Sequence, residues 1–261
     1  MSQKKFKVAT LGCRTNQYES QGYQDQLDAL GYVQAKEDES ADVCIVNTCT
    51  VTESADSSSR HQILKLAREN PGAKIVVTGC FAERRPDVVK NMEGVSLVVA
   101  NKDKEKLLNL LLPDEEEIPE FSIKNFDAHT RAFVKVQDGC NSFCTYCIIP
   151  YGRGNSRSVP VGEIVVQVRG LVESGYNEVV LTGVDISDYG KDLPGAPTLG
   201  QMMRRLLALV PDLKRLRLSS IDAVEVDDDL YRLIAEEPRL MPHLHISLQA
   251  GDNMILKRMK R

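Results

Sequence analysis

Residues 43–49 read VCIVNTC, an apolar run that ends in asparagine, threonine and cysteine. A short run of β-branched and apolar residues is typical of a strand that is buried on both faces of a parallel sheet. Two further runs, VATLGC at residues 8–13 and IVVTGC at residues 75–80, have the same form and also end in a cysteine. The three runs therefore predict parallel strands of an α/β domain.

Helical segments separate these strands along the first 112 residues. Apolar spacing predicts helices over 18–30 and 54–69, a helix that begins near Pro86, and a helix over 103–112 with Asp103 as its N-cap. The predicted strands are residues 6–11, 43–48, 75–78 and 97–100. This alternation predicts an open parallel, Rossmann-like α/β sheet.

A second alternating series begins near residue 129. Its predicted strands are residues 131–136, 178–181, 213–218 and 243–248, and its predicted helices are residues 161–174, 198–210 and 227–236. The series ends after the fourth strand, so an α/β barrel would not close, and we expect a partial, truncated (β/α) barrel.

Between the two series lies PDEEEIPE, residues 113–120. Two prolines around an acidic run predict an exposed connector, although a solvated loop within one domain is the alternative. We therefore predict an N-terminal α/β domain over residues 1–112, a linker over 113–128 and a second α/β domain over 129–261.

The composition is that of a folded chain without a strong charge preference. The 261 residues are 42% hydrophobic and 27% charged, and 33 Lys and Arg against 37 Asp and Glu give a net charge of −4. Such a balance excludes the global basic surplus of most stand-alone nucleic-acid binders. No apolar run reaches the ~18 residues of a membrane span, and the opening residues MSQKKFKVATLGC contain no apolar h-region, so we expect a cytoplasmic protein without membrane contact.

Three of the seven cysteines lie in GCNSFCTYC at residues 139–147, directly after a predicted strand. Cys140, Cys144 and Cys147 have the spacing C-x3-C-x2-C, and an odd cysteine count argues against a disulfide framework. Three thiolates on one loop can hold three corners of a [4Fe–4S] cluster and leave one iron open. A structural zinc site is the alternative, but no fourth cysteine or histidine lies nearby in sequence.

Cys13, Cys49 and Cys80 each follow the carboxyl end of a predicted parallel strand by one or two residues. Such ends share one crevice in an open α/β sheet, so these cysteines should converge. Gly12 and Gly79 precede two of them and allow the backbone to approach a bulky inorganic group.

Cys44 differs, because it lies inside a strand. A free cysteine at such a position is usually a small buried hydrophobe. We therefore expect Cys44 in the core.

The cysteine loop, with Tyr146 before its last cysteine, resembles that of the radical S-adenosylmethionine superfamily. With the N-terminal cysteines, nearly the whole chain resembles the methylthiotransferase family. This resemblance rests on LGCRTNQYESQ, VNTCTVTESADSSSR, TGCFAERRP, GCNSFCTYCIIPYGRGNSRSVP, LTGVDISDYG and LHISLQAGDNMILKRMKR. The stretches LGCRTNQYES, IIPYGRGNSRS, LTGVDI and RLRLSSID are most similar to the branch that acts on N6-threonylcarbamoyladenosine in tRNA.

The resemblance implies an enzyme that methylthiolates C2 of that adenosine next to the anticodon. The implied steps are hydrogen abstraction by a 5′-deoxyadenosyl radical, sulfur insertion and methyl transfer from S-adenosylmethionine. It also implies two [4Fe–4S] clusters, with catalytic and metal-binding roles for the six cysteines, and an electron-donating reductase or flavodoxin-type partner. The family's cluster ligands correspond here to Cys13, Cys49 and Cys80 for one cluster and to Cys140, Cys144 and Cys147 for the other.

Two alternatives remain open at this stage. The first is the same chemistry on another substrate, either isopentenyladenosine in tRNA or a ribosomal-protein aspartate. The second is a non-catalytic iron–sulfur module that transfers electrons or senses redox state. Members of the family also continue through two further barrel strands and a small β domain that binds tRNA. This sequence lacks both, so we expect a fragment or a chain that binds tRNA weakly.

Further candidates follow the strands of the second domain, where barrel enzymes place ligand-binding residues. Plain strand-end capping is the alternative for each. The predicted cofactor-binding residues are Tyr146, Gly183, Asp185, Ser220, Asp222 and Gln249. Arg153 and Arg157 form a basic segment suited to phosphate, or a solvated turn. His243 is expected to be a hydrogen-bonded polar group of the core.

Overall fold

The computed structural model describes residues 3–123, 130–222 and 226–261. The chain divides into two compact units. Unit 1 comprises Met1–Ile123 together with Tyr151–Arg153, and unit 2 comprises Lys124–Pro150 and Gly154–Arg261. The last part of the predicted linker, residues 124–128, lies outside the described residues.

Unit 1 is built on a parallel sheet with strand order β2-β1-β3-β4-β5. Its strands are β1 (Lys5–Thr10), β2 (Val33–Gln34), β3 (Val43–Thr48), β4 (Lys74–Gly79) and β5 (Val95–Val98). Its helices are α1 (Arg14–Ala29), α2 (Glu53–Glu69), α3 (Cys80–Arg84), α4 (Pro86–Lys90) and α5 (Leu107–Leu111). This is the doubly wound order in which ligands bind where neighbouring connections leave the sheet on opposite faces.

The central strand β3 shows why this sequence forms a two-faced sheet. All six of its residues are buried. Ile45 packs with Phe6 and Tyr23 in one core cluster, whereas Cys44 packs with Ile63 in the cluster on the other face. Alternate side chains thus enter different cores, as the pleat requires. The prediction that Cys44 is a core residue is confirmed.

The predicted helix over 103–112 is wrong in its first half. A 3₁₀ turn, Asn101–Lys106, comes before α5, and Asp103 is not an N-cap. Residues three apart share one side of a 3₁₀ turn, and here Asn101 and Lys104 are both buried. The tighter turn therefore directs these two polar side chains into unit 1.

Residues 113–123 follow α5 within unit 1. Their acidic side chains are exposed, but Ile118 and Phe121 pack against the core that contains Tyr23. Gln26 Nε2 also donates to the carbonyl of Pro119 at 2.6 Å. This stretch combines a solvated acidic face with apolar anchors.

Unit 2 contains a parallel sheet with strand order β10-β9-β6, a parallel pair β11-β12 and an antiparallel pair β7-β8. Its strands are β6 (Ala132–Lys135), β7 (Gln137–Asp138), β8 (Arg157–Ser158), β9 (Glu178–Thr182), β10 (Arg215–Leu218), β11 (Ser220–Ile221) and β12 (His245–Ile246). The helices are α6 (Ile149–Arg153), whose last three residues belong to unit 1, α7 (Val161–Glu173), α8 (Leu199–Leu209), α9 (Asp228–Glu236) and α10 (Asn253–Arg258).

The fourth predicted strand of this unit is shorter than expected. Only His245–Ile246 forms strand structure, paired with β11, and both residues are exposed. His243 is exposed as well, so its assignment to the core is wrong. The segment is paired over only two residues with β11, and its apolar side chains Ile246 and Leu248 are exposed as well, so no core forms around His243.

None of the helices in the described residues is long and apolar enough to cross a membrane.

Candidate functional site

A cavity of about 210 Å³ in unit 2 collects most of the cofactor-binding residues predicted for that unit. Its lining includes Cys140, Cys144, Tyr146, Cys147, Asp185, Ser220, Asp222, Gln249 and Arg261. Gly183, which was also predicted, has its backbone against Gln137, because a Cβ on this glycine would lie 2.7 Å from the Gln137 carbonyl oxygen. The cavity thus joins the cysteine loop to β11 and to the loops that follow β9, β11 and β12.

The thiols of the loop have different surroundings. Cys140 Sγ donates to Asp185 Oδ2 at 3.3 Å and accepts from the Ser142 amide at 3.4 Å. Burial raises the pKa of the Cys140 thiol to about 11, and burial also raises the pKa of Asp185. A bound cation would act in the opposite direction and favour the Cys140 thiolate.

Arg261 is a cavity residue that the sequence reasoning missed. Its guanidinium forms an ion pair with Asp222 and lies 3.6 Å from Cys144 Sγ. Asp222 is held in addition by its amide, which donates to Ser187 Oγ at 3.0 Å. The neighbouring Ser220 Oγ lies 3.2 Å from His245 Nδ1.

Gln137 is a second residue that the sequence reasoning missed. Its fully buried side chain accepts from the amides of Val184 and Asp185 at 3.1 and 2.8 Å. The same amide group donates to the carbonyl of Gly139 at 2.7 Å. Gln137 therefore ties the start of the cysteine loop to the loop after β9. The only sequence signal is a glutamine placed just after an apolar strand.

In unit 1 the other three cysteines follow adjacent strands. Cys13, Cys49 and Cys80 come after β1, β3 and β4, which are neighbours in the sheet. Cys13 is exposed, and the other two are buried. The parallel order therefore places all three at the same edge, as predicted from strand position.

The two glycines before these cysteines adopt backbone conformations that other residues rarely reach. Gly12 has φ +91°, and a Cβ on it would lie 2.8 Å from Cys49 Sγ. Gly79 has φ +97°, and a Cβ there would overlap the backbone of Thr48. Both glycines let neighbouring chain segments approach closely at the cysteine edge.

Ser59 holds the loop that carries Cys49. Its hydroxyl donates to the Cys49 carbonyl at 2.8 Å and accepts from the Cys49 amide at 3.2 Å. Thr48 Oγ1 donates to the Thr78 carbonyl at 2.6 Å and accepts from the Ala82 amide, which connects β3 to the helix that begins at Cys80. These side chains fix the backbone on either side of the site.

A buried ion network lies beside Cys80. Glu19 Oε2 is 2.5 Å from Lys104 Nζ, and Glu19 Oε1 is 2.7 Å from Arg153 Nη1. Arg153 is 2% exposed, so neither interpretation of it as a phosphate contact or a solvated turn is correct. Arg157 is exposed and lies 3.5 Å from Asp138.

The donor sets fit iron–sulfur clusters, since each unit presents a set of three free thiols, in unit 1 in addition to the core thiol of Cys44, and thiolate is the ligand that such clusters use. Within residues 3–123, 130–222 and 226–261, no three or more His, Cys, Asp or Glu side chains are arranged to hold a single metal ion. The fit therefore rests on ligand chemistry, on the glycine-lined edge in unit 1 and on the cavity in unit 2.

Two protein families match separate parts of the chain. Residues 5–100 match the family described as "Uncharacterized protein family UPF0004", and residues 134–261 match the "Radical SAM superfamily". A solved structure with a similar fold is the radical S-adenosylmethionine methyltransferase TsrM from Kitasatospora setae. Its TM-score is 0.65 at 13% identity, over 98% of this chain and 61% of that one.

Curated relatives cover nearly the whole chain. "Threonylcarbamoyladenosine tRNA methylthiotransferase MtaB" of Rickettsia prowazekii is 48% identical, over 97% of this chain and 61% of the relative. The protein with the same name from Chlamydia pneumoniae is 45% identical, over 98% of this chain and 60% of its own length. "tRNA-2-methylthio-N(6)-dimethylallyladenosine synthase" of Carboxydothermus hydrogenoformans is 32% identical, over 100% and 63%. The chain thus spans about three fifths of the length of these relatives.

Proposed function

The chain belongs to the radical S-adenosylmethionine methylthiotransferases, and from this premise we propose that it methylthiolates C2 of N6-threonylcarbamoyladenosine beside the tRNA anticodon. The observation that carries the proposal is the pairing of two sets of three free cysteines, one at the sheet edge of unit 1 and one in the cavity of unit 2. The relatives that share 48% and 45% identity support the choice of substrate.

The radical S-adenosylmethionine domain implies S-adenosylmethionine and a [4Fe–4S] cluster. In the proposal, Cys140, Cys144 and Cys147 hold this cluster. When bound and reduced, the cluster supplies the electron that cleaves S-adenosylmethionine. A second cluster, held by the cysteines of unit 1, belongs to the proposal and places sulfur chemistry on that unit. The proposal also includes the domain organisation predicted from the sequence, with domains over residues 1–112 and 129–261 joined by a linker over 113–128.

The remaining cavity residues bind and orient S-adenosylmethionine in this proposal. The Asp185 and Asp222 carboxylates suit its ammonium group or ribose hydroxyls, and Ser220 and Gln249 offer neutral hydrogen bonds. Tyr146 presents a ring that is 53% exposed at the cavity. The protein's contribution is position and local charge, whereas the bond-breaking chemistry belongs to the cofactors.

The partners follow from the reaction. The substrate is a tRNA anticodon loop, and a flavodoxin-type reductase supplies electrons in the cytoplasm. Because the charge balance of −4 offers no global basic field, tRNA contact on this chain must be local.

The test begins with the full chain, reconstituted with iron and sulfide without oxygen. We expect about eight irons per chain, and formation of 5′-deoxyadenosine when S-adenosylmethionine and dithionite are added. About four irons and no 5′-deoxyadenosine would contradict the two-cluster enzyme and favour an electron-transfer module.

The substrate is tested separately, by mass spectrometry of tRNA nucleosides from cells that lack the gene. We expect the methylthio form of threonylcarbamoyladenosine to disappear on deletion. Its persistence, together with loss of the methylthio form of isopentenyladenosine, would move the assignment to the other tRNA branch. If neither methylthio nucleoside is lost, the substrate is assigned to the ribosomal-protein aspartate instead.

A further inference from the structure

The ion network of unit 1 is unusual because its charges are almost completely removed from water. Glu19 is 1% exposed, and Lys104 and Arg153 are each 2% exposed. Polar neighbours complete it: Lys104 Nζ donates to Asn47 Oδ1 at 3.2 Å, and Asn47 Nδ2 donates to Glu19 Oε2 at 3.2 Å. All of these residues belong to unit 1.

One carboxylate and two cations leave this trio with a net positive charge. Burying an ion is costly unless partners compensate it, and within this trio one carboxylate faces two cations. The cost is visible at Lys104, because burial lowers its pKa although Glu19 acts in the opposite direction. A buried positive excess of this kind is suited to an anion nearby.

The network reaches the cysteine edge through Arg153. Arg153 Nη2 donates to Asn16 Oδ1, and Asn16 Nδ2 donates at 3.1 Å to the carbonyl of Thr48, the residue directly before Cys49. Gly152 lies against Cys80, since a Cβ on this glycine would be 3.3 Å from Cys80 Cβ. Asn101 Nδ2 donates to the Gly152 carbonyl and holds this segment in place.

We propose that Glu19, Lys104 and Arg153 form an electrostatic cradle for an anionic iron–sulfur cluster on Cys13, Cys49 and Cys80. In this cradle Arg153 is the positioning residue proposed to donate to the Cys80 sulfur, Glu19 orients Arg153, and Lys104 supplies a second positive charge. The inference rests on the proposed second cluster and deepens it, because it assigns what sets that cluster's reduction potential.

The cradle has a direct redox consequence. A [4Fe–4S] core with thiolate ligands carries a net negative charge, which one-electron reduction increases. Nearby positive charge and hydrogen bonds to sulfur therefore favour the reduced form. Removing Lys104 charge should make the cluster harder to reduce, and weakening the Arg153 hydrogen bond should act in the same direction.

The test uses the full chain with Cys140, Cys144 and Cys147 all changed to Ala, so that only the cluster of unit 1 contributes to the signal. In this background, Lys104→Met and Arg153→Lys are compared with Lys102→Met, which removes an exposed lysine from the same 3₁₀ turn. The readouts are iron content and an electron paramagnetic resonance titration against potential.

We expect Lys104→Met to lower the ratio of reduced to oxidised cluster about tenfold at a fixed potential, which is 59 mV for a one-electron couple. Arg153→Lys should shift the ratio in the same direction by a smaller factor, and Lys102→Met should leave it unchanged. Lys104→Met should also fold without the cluster, because Glu19 and Arg153 then form a balanced pair.

The outcomes separate the cradle from the proposed function. If the triple alanine background holds no iron, the second cluster and the cradle are both wrong. The other outcome is a background that holds about four irons. If the reduced fraction in Lys104→Met and in Arg153→Lys then equals that of the unsubstituted triple alanine background, the cradle alone is wrong. Either variant decides the matter if the other does not fold.

Discussion

Cys44 and Cys49 are separated by a few residues on the same strand and its loop, yet the structure gives them different chemistry. Cys44 is fully buried among apolar side chains, and Cys49 lies at the edge that carries the other two cysteines of unit 1. Cys44 lies inside strand β3, whereas Cys49 directly follows its end. A strand prediction from the sequence already makes this distinction. Cys44 therefore offers a natural control for the cluster ligands.

Burial raises the pKa of Cys44 to about 11 from an ordinary value of 9. Between these two pH values the folded state binds more protons than the unfolded state, so stability falls as pH rises from 9 towards 11. Cys44→Ala should reduce this slope, measured by urea unfolding of the metal-free chain at several pH values. Iron content should not change. A slope equal to that of the wild type would contradict the prediction.

Gly79 tests the close approach at the cysteine edge. Gly79→Ala combines a positive φ with overlap of the Thr48 backbone, so we expect a loss of about 2 kcal/mol or more in unfolding free energy. Gly72→Ala is the matched control, because Gly72 has φ +87° but no neighbour within 4 Å of an added Cβ. Equal losses in urea unfolding would show that the backbone contact contributes nothing.

At the scale of elements, strands were easier to predict than their connections. The predicted strands of unit 1 agree with β1, β3, β4 and β5 to within one or two residues, because an apolar run is a local pattern. The helix after β4 begins at Cys80, well before the proline used to predict it, and Pro86 begins a second helix. The edge strand β2 has two exposed residues and hence no apolar signal.

Gln137 is the element-scale link of unit 2, since it joins β7 to the loop after β9. Gln137→Leu leaves the amides of Val184 and Asp185 without their acceptor. An unsatisfied buried group costs about 1–3 kcal/mol, so we expect the Kd for S-adenosylmethionine to rise about tenfold or more by equilibrium dialysis. The unit 1 cluster, read in the triple alanine background, should be unaffected.

A matched stability control is Thr198→Ala. Thr198 caps α8 through a capping box and is not among the residues that line the cavity. Its loss should cost about 1 kcal/mol of stability and leave the Kd unchanged. If both variants weaken binding equally, Gln137 acts only through general stability.

At the scale of the whole molecule, the chain is two units, each with its own parallel sheet and its own set of three candidate ligand cysteines, while Cys44 lies in the core of unit 1. Unit 1 also includes Tyr151–Arg153, which follow the cysteine loop of unit 2 in the chain. A division based only on sequence order misses this, because the assignment of a segment depends on its contacts.

The two cysteine sets should therefore lose iron independently. Cys49→Ala should retain about four irons and still form 5′-deoxyadenosine, whereas Cys144→Ala should retain about four irons and form none. Cys44→Ala, with about eight irons, is the control. Loss of all iron in either ligand variant, measured with nucleoside product on the same sample, would show that the sets are not independent.

The sequence by itself determined the parallel strands, the division of seven cysteines into three, three and one, and the resemblance that led to the family. These depend on apolar runs, short spacings and strand ends, all of which are local. Only the tertiary structure decided that Arg153 is buried against Glu19, 134 positions away, and that Gln137 joins two loops. Such contacts depend on which surfaces pack together, and burial then turns an arginine that looked like a phosphate contact into part of a charged interior.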